Sequence, residues 1–500
     1  MEKINNILSD SIVYNKLKQI FLFICSAFEE TFLYKMFFTK MNEKTYEESL
    51  FGKFSELTGR FFMWVYDLIS DVWLVKLAKK IFSVNLKPLI SSSIILRIFC
   101  INDYKYSLLF LVCLGTLFAV GFAPTMLVAG LCLILFILMF VDNEFKERIK
   151  QMKVTAADLF IFLYMIAIFH ARNVSDDVQK NQIFLIYTVF VGAYFIFRYY
   201  LSDGDKIKLA LSAVSASGLV VCAVGFLQFA TGSYKTTQWT DTNLFSDIEG
   251  RLVATFENPN VLGEYLLFII PISIAMFLIT DKFIWKLIYG AVTLGSCFCM
   301  ILTYSRGCWI GLILGVVVFI LMLYPKLFIP IGVVAPFSLF FIPESIITRI
   351  TSIGNLQDGS SAFRVYLWRG TLNMIKNIWP FGIGLGNEAF ADSYRPYAYE
   401  AVVAPHSHNT FLHVMCESGI FGFIVFVLLL YFIFRQLFVT YKETKCRNIK
   451  IMSAALVCGQ LSMIVQAMFD NTLYNYRMYM LFFAVLAISS ALYAVRKEKL

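Results

Sequence analysis

The chain has 500 residues, 59% of them hydrophobic and only 15% charged, with 51 phenylalanines and a mean hydropathy of +0.71. Soluble domains carry roughly 45–50% apolar and about 25% charged residues, so a core cannot hide this much apolar surface and lipid must solvate it. The net charge of +9 does not signal nucleic acid, because no basic stripe interleaves with aromatics and the positive residues lie in short segments between apolar runs.

Residues 1–100 read as an amphipathic cytoplasmic region. The longest apolar run there, near 20–28, is too short to cross a bilayer. The opening MEKINNILSDS lacks the basic stretch and apolar run of a signal peptide. A weak repeat of about twenty residues sets a polar or acidic cluster before apolar residues and a base. Its copies begin at Ser9, Glu29, Glu48, Ser70 and Ser91. Ser, Asp and Glu before an apolar run are helix N-terminal signals. The bland reading is a set of short helices on the cytoplasmic leaflet, anchored by Trp64, Trp73 and nearby Phe and Lys. The sharper one is a docking platform for a cytoplasmic partner.

From residue 101 onward, apolar runs of spanning length fall near 106–121, 123–141, 154–170, 182–201, 207–230, 260–280, 283–303, 308–324, 326–343, 418–439, 451–469 and 477–495. The fold class is therefore all-α, a polytopic membrane protein of about 12 transmembrane helices. Residues 101–500 form the transmembrane domain. One alternate set of short loops, with the C-terminal tail, holds seventeen Lys and Arg against six in the other. The richer set should be cytoplasmic, with both termini. A large extracytoplasmic loop, 344–408, then falls between the ninth and tenth spans. Its basic residues say little about topology, because long loops translocate largely regardless of charge.

The eleven cysteines are scattered, without a CxxC pair, and read as small buried residues rather than disulfides or metal ligands. Mid-span polar residues are mostly amides, such as Gln228 and Gln460.

Polar groups crowd the outer side instead. Arg251 precedes Thr255-Phe256-Glu257-Asn258-Pro259-Asn260, a helix start with Asn as cap and Pro early. Ser305-Arg306-Gly307 forms a short outer turn. Within the long loop, 361–369 reads as an amphipathic helix carrying Arg364, Trp368 and Arg369. Gly382, Gly384 and Gly386 follow Pro380 and read as a flexible turn, since no strand precedes them as a phosphate loop would require. His406, His408 and Asn409 close the loop, and Asp470 with Asn471 sits at the outer mouth of the eleventh span.

Taken singly, an Arg at a span end is usually an interface anchor and a loop His is usually solvated. Together they carry a chemistry. A guanidinium fork suits phosphate oxygens, so two or three Arg at one face could hold a diphosphate. A neutral histidine can take a proton from an acceptor hydroxyl. This points to glycosyl transfer from a lipid diphosphate whose departure is helped by nearby positive charge. Spacing of His406, His408 and His413 is not a tight metal pattern, Glu257 and Glu264 are weak evidence for one, and no metal or cofactor is expected.

The motifs resemble the O-antigen ligase and O-antigen polymerase superfamily of bacterial membrane glycosyltransferases. His408-Asn409, nine residues, then Gly419-Ile420-Phe421-Gly422 resembles the family's His-Asn-x9-Gly-x-x-Gly signature. Arg251 with Thr255-Phe256 and Asn258-Pro259-Asn260 resembles its Arg…Gly-Thr-Phe-x-Asn-Pro-Asn element, with Ala254 standing at the glycine. Ser305-Arg306-Gly307 and Arg364…Trp368 resemble further elements. The similarity covers roughly 105–495 and leaves out the first hundred residues.

The resemblance implies an inverting, metal-independent transfer from an undecaprenyl-diphosphate-linked glycan donor to a glycan, lipid or protein acceptor in surface polysaccharide assembly. It makes His408 the catalytic candidate, Arg251 and Arg306 the donor diphosphate contacts, Arg364 a weaker positioning candidate, and Asn409 a residue that orients His408. Asp470 joins them from its place in the sequence. The motifs do not separate polymerase from ligase, and polymerase is favoured. The rival from another class is a transporter or flippase of lipid-linked oligosaccharide, which would show ionisable groups near the midplane.

Overall fold

The computed structural model describes residues 50–82, 103–115, 122–234, 250–328, 343–352 and 359–497, with residues 19 and 93 and the pair 330–331. Among them every regular element is helical. Lipid offers no partner to a backbone amide, so a spanning segment must satisfy its hydrogen bonds internally, which an apolar helix does.

Two helices, α1 (Leu50–Ser70) and α2 (Trp73–Phe82), precede α3 (Tyr104–Gly115), α4 (Phe122–Val141) and the short α5 (Phe145–Gln151). Long helices follow: α6 (Ala156–Val174), α7 (Lys180–Tyr200), α8 (Gly204–Thr231), α9 (Pro259–Ile279), α10 (Phe283–Leu302) and α11 (Arg306–Leu323). The loop region holds α12 (Glu344–Thr351), α13 (Gly359–Ile378) and α14 (Asn387–Tyr394). The bundle closes with α15 (Thr410–Glu443), α16 (Arg447–Ala467) and α17 (Tyr476–Ala494).

Among the described residues, ten helices are long and apolar enough to cross a membrane: α4, α6 to α11 and α15 to α17. They coincide with ten of the twelve apolar runs. The run at 106–121 is described only as the 12-residue α3, and most of 326–343 lies outside the described residues. Burial grades the bundle from centre to rim. In α17, 89% of the spanning window is buried, against 22% in α11, so among the described residues α17 lies at the centre and α11 nearer the rim. The nine described cysteines are free thiols, seven of them buried.

The two ends differ in chemistry. At the end richer in Lys and Arg, the Thr155–Asp158 capping box starts α6. Asp158 also pairs with Arg198 (3.2 Å) and accepts from Tyr194 (2.7 Å). Asp142 pairs with Lys105 at 3.0 Å. These buried charges are partnered on their own helices or neighbours, the usual condition for burying them. Here α1 docks: Tyr66 stacks on Phe145 at 4.8 Å, Lys146 meets Asp67 at 2.6 Å, and the Val154 amide donates to Ser55 Oγ at 3.0 Å. Trp64, Trp73, Phe61 and Leu57 stay exposed on α1 and α2. The Ser70-Asp71 repeat copy falls at their junction. The copies near 9, 29 and 91 lie outside the described residues.

At the other end α15 is kinked. Gly419 adopts φ 63°, ψ −166°, so the first two turns, 410–418, run at an angle to the rest. The kink frees carbonyls that a straight helix would use, and the glycine-spaced segment takes them. Ile383 donates to Cys416 O (2.7 Å), Gly384 to Glu417 O (3.1 Å), and Ile420 to Trp379 O (2.8 Å). The segment is therefore docked, not a loose turn. The sequence hides this because the partner carbonyls exist only once the helix bends.

Candidate functional site

His408 sits one residue before the Asn409 N-cap of α15, at φ 44°. That left-handed conformation is uncommon for a residue with a Cβ and marks a constrained position. Two backbone-level contacts tie this helix start to the turn after α16. The Thr410 amide donates to Asp470 O (3.1 Å), and Asn409 Nδ2 donates to Met468 O (2.9 Å). The stitch brings the His408 ring onto Asp470, Nδ1 to Oδ1 at 2.7 Å.

Asp470 is buried. Burial alone would raise its pKa, but His408, Arg364 and His406 outweigh it and hold the carboxyl well below the usual range. An ionised carboxylate can only accept, so the shared proton is assigned to His408 Nδ1, and in the neutral ring Nε2 then holds the lone pair. From α13, the Trp368 indole donates to His408 O (3.2 Å) and Phe363 meets the ring edge-on. Asn409, expected to orient the ring, caps α15 by accepting from the Leu412 amide at 3.0 Å; it fixes His408 through the backbone, and the group on the ring is Asp470.

Arginines gather on the other flank of Asp470. Asn260 is the bridge: its Oδ1 accepts from Arg251 Nη2 (2.7 Å) and its Nδ2 donates to Asp470 Oδ2 (3.0 Å). Arg251 Nε donates to Thr303 O at 2.7 Å. Arg364 approaches Asp470 at 3.8 Å, and its buried Nε has no partner. Arg306 bonds Ser352 Oγ (2.8 Å) and Ser360 Oγ (2.7 Å), the latter one turn before Arg364 on α13. Arg349 on α12 donates to Tyr304 O at 3.3 Å. Burial first, then the like charges of Arg349, Arg364 and Arg306, push Arg251 down to about 9. Guanidinium groups near enough to repel in this way form an electropositive site that an anion would relieve.

Arg251, Arg364, Asp470, His408 and Asn409, expected at the site from sequence, are thus in one connected cluster, with Arg306 beside it through Ser360. Arg349 was missed. It belongs to no motif, and as a base in a long loop it carried no topological information.

His406, His408 and Asp470 present ligand atoms within 4.8 Å of one another, enough for a cation by distance. Burial and the neighbouring His408 push His406 down to about 3, so its ring is neutral and could ligate. The arginines beside Asp470 oppose a divalent ion, however, and Asp470 already answers His408, Asn260 and Arg364. The donor set suits an anion better. His413 is not in that cluster; it faces Glu417 at 3.4 Å on α15.

Ala254 stands in a conformation that favours glycine. It holds φ 48°, where glycine is at ease and alanine is strained by about 1 kcal/mol. Gln228 clamps it, accepting from its amide (2.8 Å) and donating to its carbonyl (2.9 Å). Ala254→Gly should keep activity and raise thermal stability, or leave it level where the lost methyl offsets the gain. A clear fall in melting temperature would contradict the strain argument.

Residues 291–427 match the family described as O-Antigen ligase. No curated protein matches the chain. The matched stretch contains Arg306, Arg349, Arg364, His408 and the Gly419 kink. Arg251 and Asp470 lie outside it and reach the same site through the fold.

Proposed function

From a chain whose residues 291–427 are an O-antigen ligase domain, of the type that works in polysaccharide assembly, we propose an inverting membrane glycosyltransferase. It passes a glycan from an undecaprenyl-diphosphate-linked donor to an acceptor hydroxyl, on the outer side of the bacterial cytoplasmic membrane. The observation that carries this reading is the His408–Asp470 pair (2.7 Å), with Arg364 3.8 Å from Asp470 and Arg251 joined to it through Asn260.

In this mechanism Arg251 and Arg306, with Arg364 and Arg349, hold the diphosphate oxygens. His408 Nε2 takes the proton of the acceptor hydroxyl as its oxygen attacks the anomeric carbon. The bond from that carbon to the diphosphate breaks, and the diphosphate leaves with the electron pair, its growing charge met by guanidinium groups already in place. Asp470 steadies the imidazolium that forms. The arginines supply the positive charge that a metal would otherwise bring. The basic-rich end of the bundle, with both termini, faces the cytoplasm, and the N-terminal helices lie on the inner leaflet or meet a cytoplasmic partner. Transfer to another lipid-linked repeat, polymerisation, is the favoured form.

The test is the surface polysaccharide profile, with lipid-linked intermediates, in cells whose only copy is Arg306→Ala or Arg251→Lys at confirmed membrane levels. A drop in transfer of about 10²-fold or more is expected for loss of such a donor. Single repeat units accumulating on lipid would indicate a polymerase, and full-length polymer retained on lipid a ligase. Normal polymer from both variants would refute the transferase reading.

A further inference from the structure

Beyond His406 lies a partly open cavity of about 250 Å³. His413 and Glu417 of α15, Tyr187 of α7, Tyr474, Asp177 and Glu388 line it, with Gln179 and Asn387 at its exposed rim. Among the described residues, its lining holds no Lys or Arg. The chamber is small beside the usual range for drug-sized ligands and has room for one sugar ring.

Its walls are fixed. Asp177 accepts from the Gln179 amide (2.7 Å) with one oxygen and from the Glu388 amide (3.0 Å) with the other. Tyr187 stacks on Tyr479 at 4.1 Å, and Tyr474 stacks on His406 at 4.7 Å. His413 is 6% exposed, and its buried Nδ1 has no partner.

The cavity and the arginines are thus opposite in character and lie on either side of a short relay. His406 touches His408 with ring centroids 4.2 Å apart and neighbours His413 at 6.3 Å. An inverting displacement needs the attacking hydroxyl on the face of the sugar opposite the departing diphosphate. With the diphosphate on the arginines, a hydroxyl presented from the His413 end of the relay would meet that requirement. Carboxylates and phenols without a cation suit a hydroxyl-rich ring and repel phosphate. We propose that the cavity is the acceptor-sugar subsite, taking one neutral or amino sugar; this rests on the transferase reading above.

The test uses the full-length protein in detergent. Saturation-transfer NMR would be run with methyl glucoside, N-acetylglucosamine and galactosamine, and pyrophosphate binding followed by calorimetry. At least one sugar should receive saturation, and saturating pyrophosphate should leave that signal in place. Asn387→Trp, at the rim, should fill the chamber and cut the sugar signal about tenfold or more while leaving pyrophosphate affinity unchanged. Gln179→Trp serves equally should the first variant express poorly. Glu417→Gln should weaken the sugar without touching pyrophosphate. No signal from any sugar, displacement by pyrophosphate, or a signal surviving both tryptophans would overturn the subsite. Failure of pyrophosphate to bind would strike the transferase reading instead, so the two are separable.

Discussion

Replacing His408 by alanine should lower glycan transfer by about 10²–10⁴-fold, the usual worth of a positioned general base, with donor binding retained. The expectation follows from where the histidine stands. Its Nδ1 is committed to Asp470 at 2.7 Å, so only Nε2 is available to a hydroxyl. The arginines that would hold the donor are fixed by other bonds: Arg251 by Thr303 and Asn260, and Arg306 by Ser352 and Ser360. The variant should therefore lose kcat and keep the KM for the lipid-linked donor. A rise in donor KM with kcat intact would assign His408 to binding rather than proton transfer.

Asp470→Asn should be nearly as damaging, for a different reason. An amide no longer dictates which ring nitrogen carries the proton. The sign of its pH dependence is fixed by the depressed pKa of the carboxyl. A carboxylate lowered on folding adds stability that is fully present above the ordinary value of about 3.9 and is lost as pH falls through the folded one. The stability deficit of Asp470→Asn should thus be constant above about pH 4 and shrink below it.

The bundle was legible because lipid writes its demand into local sequence: each spanning helix is an apolar run of fixed length. Several site residues were legible for another reason. Arg306 sits in the short turn between two such runs, and Arg251 and His408 stood out through the motifs around them, Thr255-Phe256 with Asn258-Pro259-Asn260 and His408-Asn409 before the spaced glycines. What sequence could not show was pairing. Asp470 lies 62 residues from His408, and nothing local says that α15 and α16 stitch their ends together. Asn260 read as part of a helix start, which it is, yet its amide also links Arg251 to Asp470, a second use that cap spacing cannot reveal. Arg349 was invisible because its contribution is electrostatic and comes from an unremarkable short helix. The amides expected at mid-span illustrate the converse. Gln460 bonds Ser489, while Gln228 lies in the last turn of α8 and clamps Ala254, so both amides are engaged within the bundle.

Substituting Gly419 by alanine should be among the more destructive changes outside the charged cluster, costing about 3–5 kcal/mol as strain and clash add. The φ of 63° places it where L side chains are strained, and a Cβ there would lie 2.6 Å from Pro380 O. The facing glycine has the reciprocal problem: Gly382, at φ 76°, would set its Cβ 2.6 Å from Cys416 O. Backbone opposes each added methyl, so no side-chain rotation can relieve it. The effect should reach chemistry, because the turns that the kink sets off, 410–418, begin at the cap that holds His408. Gly419→Ala and Gly382→Ala should each lose monodisperse protein at lower temperature and transfer no glycan, even where Arg251, Arg306 and His408 are all present. Gly59→Ala is the control. It lies within α1 with nothing inside 4 Å of its would-be Cβ, and an alanine in a helix interior is favoured by roughly 0.5–1 kcal/mol. If Gly419→Ala matched that control in thermal stability and activity, the docked glycine segment would be incidental, and His408 would owe its position to the Asp470 stitch alone.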